Sequence, residues 1–222
     1  MKLYLSSRLT HNCEEAKQYL FNWQSKHGAD VAMITDGRDF FPPQQRESGI
    51  RNNGILLQKL GFNPTPIALK EYVGQYDKLK QFLSQFPTLH IIGGNPFMLK
   101  DSMDISLFTE FLKEQELNDD ILYSGSSAST MLVGQIMLEH PSDRIMQNLG
   151  GAKSATQGLG YLDYTPIPHY PYLEPFESLK EVADDFEKKN LPYKVLADGE
   201  VIVKDTITNS EYLITERGAY EQ

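Results

Sequence analysis

The segment DILYSGSSAS, residues 120–129, contains the pattern that is most informative about the fold. Asp120–Tyr123 is a short apolar run typical of a buried strand, and the small residues Ser124–Ser126 follow it. A helical pattern then covers about Ser127–Glu139. A strand that leads through small residues into a helix is typical of a parallel α/β sheet, in which functional sites form at the carboxyl ends of the strands.

The preceding residues repeat this alternation of apolar strand patterns and helical patterns. Such alternation requires crossover connections, and it therefore predicts a mostly parallel central sheet with helices on both faces. The strands are predicted at Lys2–Ser6, Asp30–Thr35, Thr65–Leu69 and Thr88–Ile92, and the helices at Asn12–Lys26, Gln44–Leu60, Gln75–Phe86 and Ile105–Glu116.

The last third of the chain has a different character. Residues 141–175 are rich in Gly, Pro and Tyr, and a helix is predicted at Phe176–Lys188. Short strands separated by turn residues then predict a small antiparallel addition to the main sheet. Since no linker or internal repeat is present, we expect a single α/β domain over residues 1–222. The short strands are predicted at Tyr193–Leu196, Glu200–Lys204 and Glu211–Thr215.

Composition excludes several classes of protein. The net charge of −9 over 222 residues, with no dense basic stripe, argues against a nucleic-acid partner. No apolar run is long enough for a membrane span, and the single Cys13 rules out a disulfide framework. No group of residues has convincing metal-ligand spacing, so neither a metal nor a cofactor is expected. A cytoplasmic location is the expectation.

Ser127 is the candidate nucleophile. It lies within Gly125–Ser129, where small neighbours allow a hydroxyl to project from a sharp strand-to-helix turn. The start of a helix also directs backbone N–H groups toward a developing negative charge. The alternative is that this segment is only a capped helix start without chemistry.

Two further segments add to this candidate site. Gly93 and Gly94 follow the predicted fourth strand, and paired glycines can expose backbone N–H groups to a ligand, as an oxyanion hole requires. The alternative is an ordinary turn. His169, one of five histidines, follows Pro168 in a Pro-rich segment that favours a rigid, extended chain suited to a catalytic base. A purely structural histidine is the alternative there.

Together these segments resemble the dipeptidase E and cyanophycinase family of serine peptidases. The resemblance implies the class I glutamine-amidotransferase-like fold, which is flavodoxin-like in its sheet, and it runs across most of the chain. The four matching segments occur in the order of the family. They are IIGGNPF at 91–97, GSSAS at 125–129, IPHY at 167–170 and LADG at 196–199.

The resemblance also implies roles for individual residues. Ser127 would be the nucleophile and His169 the general base and acid. Asp198 would orient His169, and the backbone N–H groups of Gly94 and Ala128 would form the oxyanion hole.

Three residues depart from the family pattern. Ser129 replaces a glycine of the nucleophile turn, Ile167 replaces an Asp or Asn, and Asp198 is one methylene shorter than the usual Glu. The change to Ser129 raises the question of whether the nucleophile turn is tight enough. The change to Asp198 raises the question of whether its side chain reaches His169. Asp143 and Asp163 therefore remain alternative acids.

The function implied by the resemblance is hydrolysis of short peptides through an acyl-enzyme at Ser127, with a small peptide as the binding partner. The order Ser, His, Asp along the chain differs from the Ser, Asp, His order of α/β-hydrolases, which argues against a small esterase. Two alternatives stay open, namely that esterase and an inactive relative that binds a small ligand. A homodimer is also left open.

Overall fold

A central β-sheet organises the residues described by the computed structural model, which are 1–9, 13–138, 157–170, 179–216 and 218–221. In chain order, the strands are β1 (Lys2–Ser6), β2 (Asp30–Ile34), β3 (Asn63–Ile67), β4 (Thr88–Ile91), β5 (Leu122–Ser126), β6 (Thr165–Pro168), β7 (Tyr193–Leu196), β8 (Val201–Asp205), β9 (Glu211–Thr215) and β10 (Gly218–Glu221). The main sheet has the order β10-β9-β8-β1-β5-β4-β2-β3, and β6 pairs only with β7.

The five strands β1 to β5 are parallel, whereas β8, β9 and β10 extend the sheet in antiparallel fashion beside β1. This confirms the predicted fold class, a mostly parallel α/β sheet of the flavodoxin-like type with a small antiparallel addition. The parallel strands share one carboxyl edge, and the segments that follow β1, β4 and β5 all emerge there. The sequence-predicted site residues Gly94 and Ser127 belong to two of these segments.

Helices cover both faces of the sheet. On one face, α1 and α2 bury residues such as Leu20 and Leu57 against Tyr4 and Met33 of the strands. On the other face, α3, α4 and α5 form a larger apolar core with Leu3, Ile34 and Tyr123. No helix among the described residues is long and apolar enough to cross a membrane. The helices are α1 (Glu14–His27), α2 (Pro43–Lys59), α3 (Tyr76–Leu83), α4 (Pro96–Ile105), α5 (Phe108–Glu114), α6 (Ala128–Met131) and α7 (Lys180–Lys188).

One predicted strand of the antiparallel addition lies elsewhere. Tyr193–Leu196 is β7, and it pairs in parallel with Thr165–Pro168, which the sequence had not indicated as a strand. Pro166 and Pro168 have no N–H to donate, which suits β6 to an edge position. The addition to the main sheet therefore consists of β8, β9 and β10.

Two predicted helices differ in extent. The helix expected at Ile105–Glu116 is α5, which begins only at Phe108 because Leu107 adopts a left-handed conformation with φ of 63°. The preceding helix α4, over Pro96–Ile105, was not predicted from the sequence. The helix expected at Ser127–Glu139 is shorter and ends at Met131. Beyond it, the carbonyl groups of Leu132 and Gly134 accept N–H groups of Leu159 and Gly160 instead of continuing the helix. Asn12, Glu139 and residues 176–178 of the predicted helices lie outside the described residues.

Candidate active site

Ser127 occupies a strained turn between β5 and α6. Its φ and ψ are 60° and −123°, a conformation that a non-glycine residue rarely adopts. The backbone N–H of Ser127 donates to the carbonyl oxygen of Ser7, 3.0 Å away at the end of the neighbouring β1. The main chain is thus fixed on one side while the side chain projects from the carboxyl edge of the sheet, as expected of a nucleophile elbow.

Ser129, one of the three residues that depart from the family pattern, tightens this elbow. Its fully buried hydroxyl accepts the N–H of Ser126 at 2.8 Å and lies 2.7 Å from the carbonyl oxygen of Ile91, to which it donates. The hydroxyl therefore connects the carboxyl ends of β4 and β5. A glycine is not required at this position, because the serine hydroxyl itself forms hydrogen bonds with buried backbone groups at both strand ends.

The glycine turn after β4 lies directly against the elbow. A Cβ atom at Gly93 would be 2.7 Å from Cβ of Ser127, and one at Gly94 would overlap the carbonyl oxygen of Gly37. Asn95 fixes the turn, since its N–H donates to the Gly37 carbonyl oxygen at 2.8 Å and its side chain caps α4. Only glycine permits this close approach of main chains.

Two backbone donors of this region remain available to a ligand. Among the described residues, neither the N–H of Gly94 nor that of Ala128 has an acceptor. Ala128 is the first residue of α6, and Gly94 belongs to the turn packed on Ser127. These are the donors that the sequence assigned to an oxyanion hole, and the structure leaves both of them unengaged.

His169 lies next to the Ser127 hydroxyl. Its Nε2 atom is 2.8 Å from Oγ of Ser127, and its side chain is only 5% exposed. His169 is another non-glycine residue with a positive φ, 59°, immediately after the end of β6. The rigid extended segment predicted from the prolines is β6 itself, and the chain turns sharply at the histidine.

Asp198 completes a continuous line of hydrogen bonds. Its Oδ1 atom is 2.8 Å from Nδ1 of His169. Because a carboxylate can only accept, the proton of the neutral imidazole resides on Nδ1 and leaves Nε2 as the acceptor for the Ser127 hydroxyl. The shorter aspartate reaches the imidazole without difficulty, so the methylene that distinguishes it from glutamate is not required here.

The small sheet explains how histidine and acid meet. In the parallel β6–β7 pair, Pro168 lies opposite Leu196, and both chains leave this sheet at the same edge. His169 is the first residue after β6, and Asp198 is the second after β7. The N–H of Tyr170 continues the pairing by donating to the Leu196 carbonyl oxygen. The pairing of β6, a strand that was not predicted, therefore brings about the predicted contact between His169 and Asp198.

Two site residues were missed from the sequence. Ser7 donates its hydroxyl to Oδ1 of Asp198 at 2.7 Å, and Nε of Arg8 lies 3.1 Å from Oδ2 of the same carboxylate. Both follow β1, and the polar turn after that strand was the only signal that could have found them. Burial alone would raise the pKa of Asp198, but the hydrogen bonds from Ser7 and His169, with the charge of Arg8, lower it below its ordinary value.

The alternative acid Asp163 does not take part in this arrangement. Asp163 is exposed, and no hydrogen bond joins it to His169. Asp143 lies outside the described residues. Within the described part of the chain, no group of three or more His, Cys, Asp or Glu side chains is arranged to bind a metal ion.

Fold and site together define a class: a flavodoxin-like α/β protein with a strained serine at a strand-to-helix elbow and an imidazole and carboxylate in line behind it. Within that class, the chain belongs to Peptidase family S51, whose model matches residues 9–208. It is a peptidase of this family, and the predicted resemblance to dipeptidase E and cyanophycinase is confirmed.

Solved structures agree with the fold. A protein from Listeria monocytogenes EGD-e, provisionally assigned as a peptidase E, is 15% identical with a TM-score of 0.66, covering 100% of this chain and 97% of its own. A peptidase from an acI-B1 Actinobacterium is 17% identical with a TM-score of 0.68, covering 96% of this chain and 87% of its own. No curated protein matches the sequence.

Proposed function

We propose that this chain is a serine peptidase that hydrolyses short peptides through an acyl-enzyme formed on Ser127. The observation that carries the proposal is the line of two 2.8 Å contacts from the Ser127 hydroxyl through His169 to Asp198. Membership of a peptidase family supports the same conclusion. A merely structural serine would have no need of a strained backbone and a buried imidazole aligned with a carboxylate.

In the first half of the reaction, Nε2 of His169 takes the proton of the Ser127 hydroxyl as Oγ attacks the scissile carbonyl carbon. The resulting tetrahedral intermediate carries a negative charge on the former carbonyl oxygen. In this proposal, the N–H groups of Gly94 and Ala128 donate to it. In such sites, one oxyanion donor lowers the barrier by about 3 kcal/mol.

Collapse of this intermediate breaks the C–N bond. The protonated His169 gives its proton to the leaving amine, and the acyl group remains esterified to Ser127. A water molecule then gives a proton to His169 and attacks the ester, and His169 returns that proton to Oγ of Ser127 as the acid leaves. Asp198 stabilises the imidazolium formed in each half without itself taking the proton.

A peptide library tests this proposal. The wild-type chain should hydrolyse a set of dipeptides and tripeptides, with cleavage followed by mass spectrometry, whereas the Ser127→Ala variant should not. Ser106→Ala is a matched control, because Ser106 is buried at the end of α4 and its hydroxyl bonds only within that helix.

Two outcomes would overturn the proposal. Hydrolysis of p-nitrophenyl esters without any peptide cleavage would favour the small esterase. Binding of library members without cleavage of any peptide or ester would favour an inactive relative that retains a ligand cleft.

A further inference from the structure

Ser7 contacts every member of the proposed catalytic line. Its hydroxyl oxygen is 2.7 Å from Oδ1 of Asp198 and 2.7 Å from the backbone N of His169, and its carbonyl oxygen accepts the N–H of Ser127. Ser7 follows β1, which lies in the middle of the main sheet between β5 and β8, and it is fully buried. It therefore joins the rigid centre of the molecule to residues from three other segments.

We propose that Ser7 is a positioning residue, and that its single hydroxyl orients both His169 and Asp198 for the reaction on Ser127. The inference rests on the proposed function, since it assigns a role within that reaction. Ser7 does not contact the reacting atoms, because the Ser127 hydroxyl meets the opposite side of the imidazole ring, at Nε2.

The donors and acceptors around the Ser7 hydroxyl can be assigned completely. A main-chain N–H can only donate and a carboxylate can only accept, so Oγ of Ser7 accepts from His169 N–H and donates its one proton to Asp198. The 3.4 Å separation between this oxygen and Nδ1 of His169 is then a packing contact. Oδ1 of Asp198 therefore accepts two hydrogen bonds, one from the Ser7 hydroxyl and one from the imidazole.

The bond to the His169 main chain stabilises an unfavourable conformation. His169 has a φ of 59°, which costs a non-glycine residue conformational energy, and its N–H donates to the Ser7 hydroxyl. Without the Ser7 hydroxyl this buried N–H would lose its acceptor. The turn that aims the imidazole at Ser127 would then lose part of its support.

The nearby charged residues Arg8 and Glu200 do not take part in the hydrogen bond between Ser7 and Oδ1 of Asp198. Arg8 reaches Oδ2 of Asp198 and its side chain is 37% exposed, so solvent screens its charge. Glu200 accepts the N–H of Ala197 with its own carboxylate. Ser7 is thus the buried donor on the oxygen that faces His169, and Arg8 acts on the other oxygen.

A fluorophosphonate probe tests the inference without a known substrate, because it reports directly on the reactivity of Ser127. We measure the second-order rate constant and the final extent of labelling by intact mass from pH 5 to pH 9. Ser7→Ala should label to full stoichiometry but about 10- to 100-fold more slowly, the effect expected for loss of a buried hydrogen bond.

The pH profile separates positioning from folding. Removing the Ser7 donor leaves Oδ1 of Asp198 a stronger acceptor, so the imidazolium is retained to higher pH and the acidic limb of the rate profile should move upward. A purely structural role would lower the extent of labelling and leave the profile unmoved. Ser106→Ala should match the wild type in rate, extent and profile.

Ser7→Thr, which retains a hydroxyl, should label faster than Ser7→Ala. If Ser7→Ala does not fold, Ser7→Cys replaces it, because a thiol is only a weak donor. A Ser7→Ala or Ser7→Cys rate within twofold of the wild type, or a Ser7→Thr rate no faster than theirs, would overturn the inference. Failure of the wild type to label at Ser127 would instead overturn the proposed function.

Discussion

At the scale of single residues, the backbone position of Asp198 compensates for its short side chain. Asp198 is one methylene shorter than the glutamate of the family pattern, yet its Oδ1 atom lies 2.8 Å from His169. The pairing of β6 with β7 brings the two backbones close enough that a longer side chain is unnecessary. Ser7 donates to the same oxygen atom of Asp198, and Nε of Arg8 lies 3.1 Å from the other oxygen atom.

Replacing this acid tests its assignment. Asp198→Asn should lower kcat by about 10³- to 10⁴-fold, because an amide no longer favours the proton on Nδ1 of His169. Circular dichroism should show an intact fold. Asp163→Asn, which alters an exposed carboxylate, should leave kcat within about twofold, and Asp143→Asn should do the same. A larger loss for Asp143→Asn than for Asp198→Asn would transfer the role to Asp143.

A second histidine bears on stability instead of catalysis. His90 is fully buried in β4, its Nδ1 atom is 3.0 Å from Oγ of Ser124, and its Nε2 atom has no partner among the described residues. Burial lowers the pKa of His90 to about 4. Protonation would place a charge in the core between the sheet and the first two helices, where no carboxylate is available to it among the described residues.

The pH dependence of unfolding tests this environment. The unfolded state takes up a proton below the ordinary histidine pKa, about 6.5, whereas folded His90 does not until about pH 4. This difference therefore does not reduce the free energy of unfolding above about pH 6.5, and it reduces it increasingly as the pH falls from 6.5 toward 4. Between pH 7 and pH 5 the unfolding constant of the wild type should rise about twentyfold more than that of His90→Gln. Equal increases in urea titrations would contradict the buried neutral histidine.

At the scale of secondary-structure elements, the nucleophile elbow depends on the contact between two strand ends. Ser129→Ala would leave the N–H of Ser126 and the carbonyl of Ile91 without their buried partner. The free energy of unfolding should fall by about 1–3 kcal/mol in urea titrations. Ser102→Ala, a change at a half-exposed serine of α4, should alter it by less than about 0.5 kcal/mol. No loss for Ser129→Ala would mean that the hydroxyl is dispensable to the elbow.

The sequence predicted most elements of the main sheet, and the reasons for its failures are local. Apolar runs such as Lys2–Ser6 and Thr88–Ile91 indicated their strands because both faces of a parallel sheet are buried. The strand β6 was not recognised, since TPIP contains two prolines that are unusual in strands. The break at Leu107 was equally hidden, because leucine normally favours a helix and gives no signal for a left-handed conformation.

At the scale of the whole molecule, the proposed function requires the small β6–β7 sheet to dock correctly beside the main sheet. Glu211 of β9 contributes to this docking. It accepts the hydroxyl of Tyr164 at 2.6 Å and lies 3.1 Å from Nζ of Lys194. Burial would raise the pKa of Glu211, but these two hydrogen bonds and the lysine charges lower it below the ordinary value.

Removing that carboxylate charge should weaken the docking. Glu211→Gln should lower the free energy of unfolding at pH 7 by about 1–2 kcal/mol, since a buried, hydrogen-bonded charge is lost. The difference from the wild type should shrink as the pH falls through the depressed pKa, where the wild-type carboxylate is also neutralised. Glu110→Gln, at an exposed pair with Lys113, should have little effect. A pH-independent difference would exclude an electrostatic origin.

The candidate site was predictable only in part, because its residues come from distant segments. Ser127, His169 and Asp198 were proposed through a resemblance in the order of short motifs, and spacing alone could not have joined them. Ser7 is 162 residues from His169 along the chain, and a serine after a strand carries no distinguishing signal. Only the sheet order, which puts β1 beside β5, reveals its place in the site.

The site of covalent modification by a fluorophosphonate shows whether Ser127 is the reactive serine. Peptide mapping of the labelled wild-type chain should place a single adduct on Ser127, and Ser127→Ala should take up none. Labelling of a different residue, or an unmodified wild-type chain that retains its native circular dichroism, would contradict a reactive serine at this elbow.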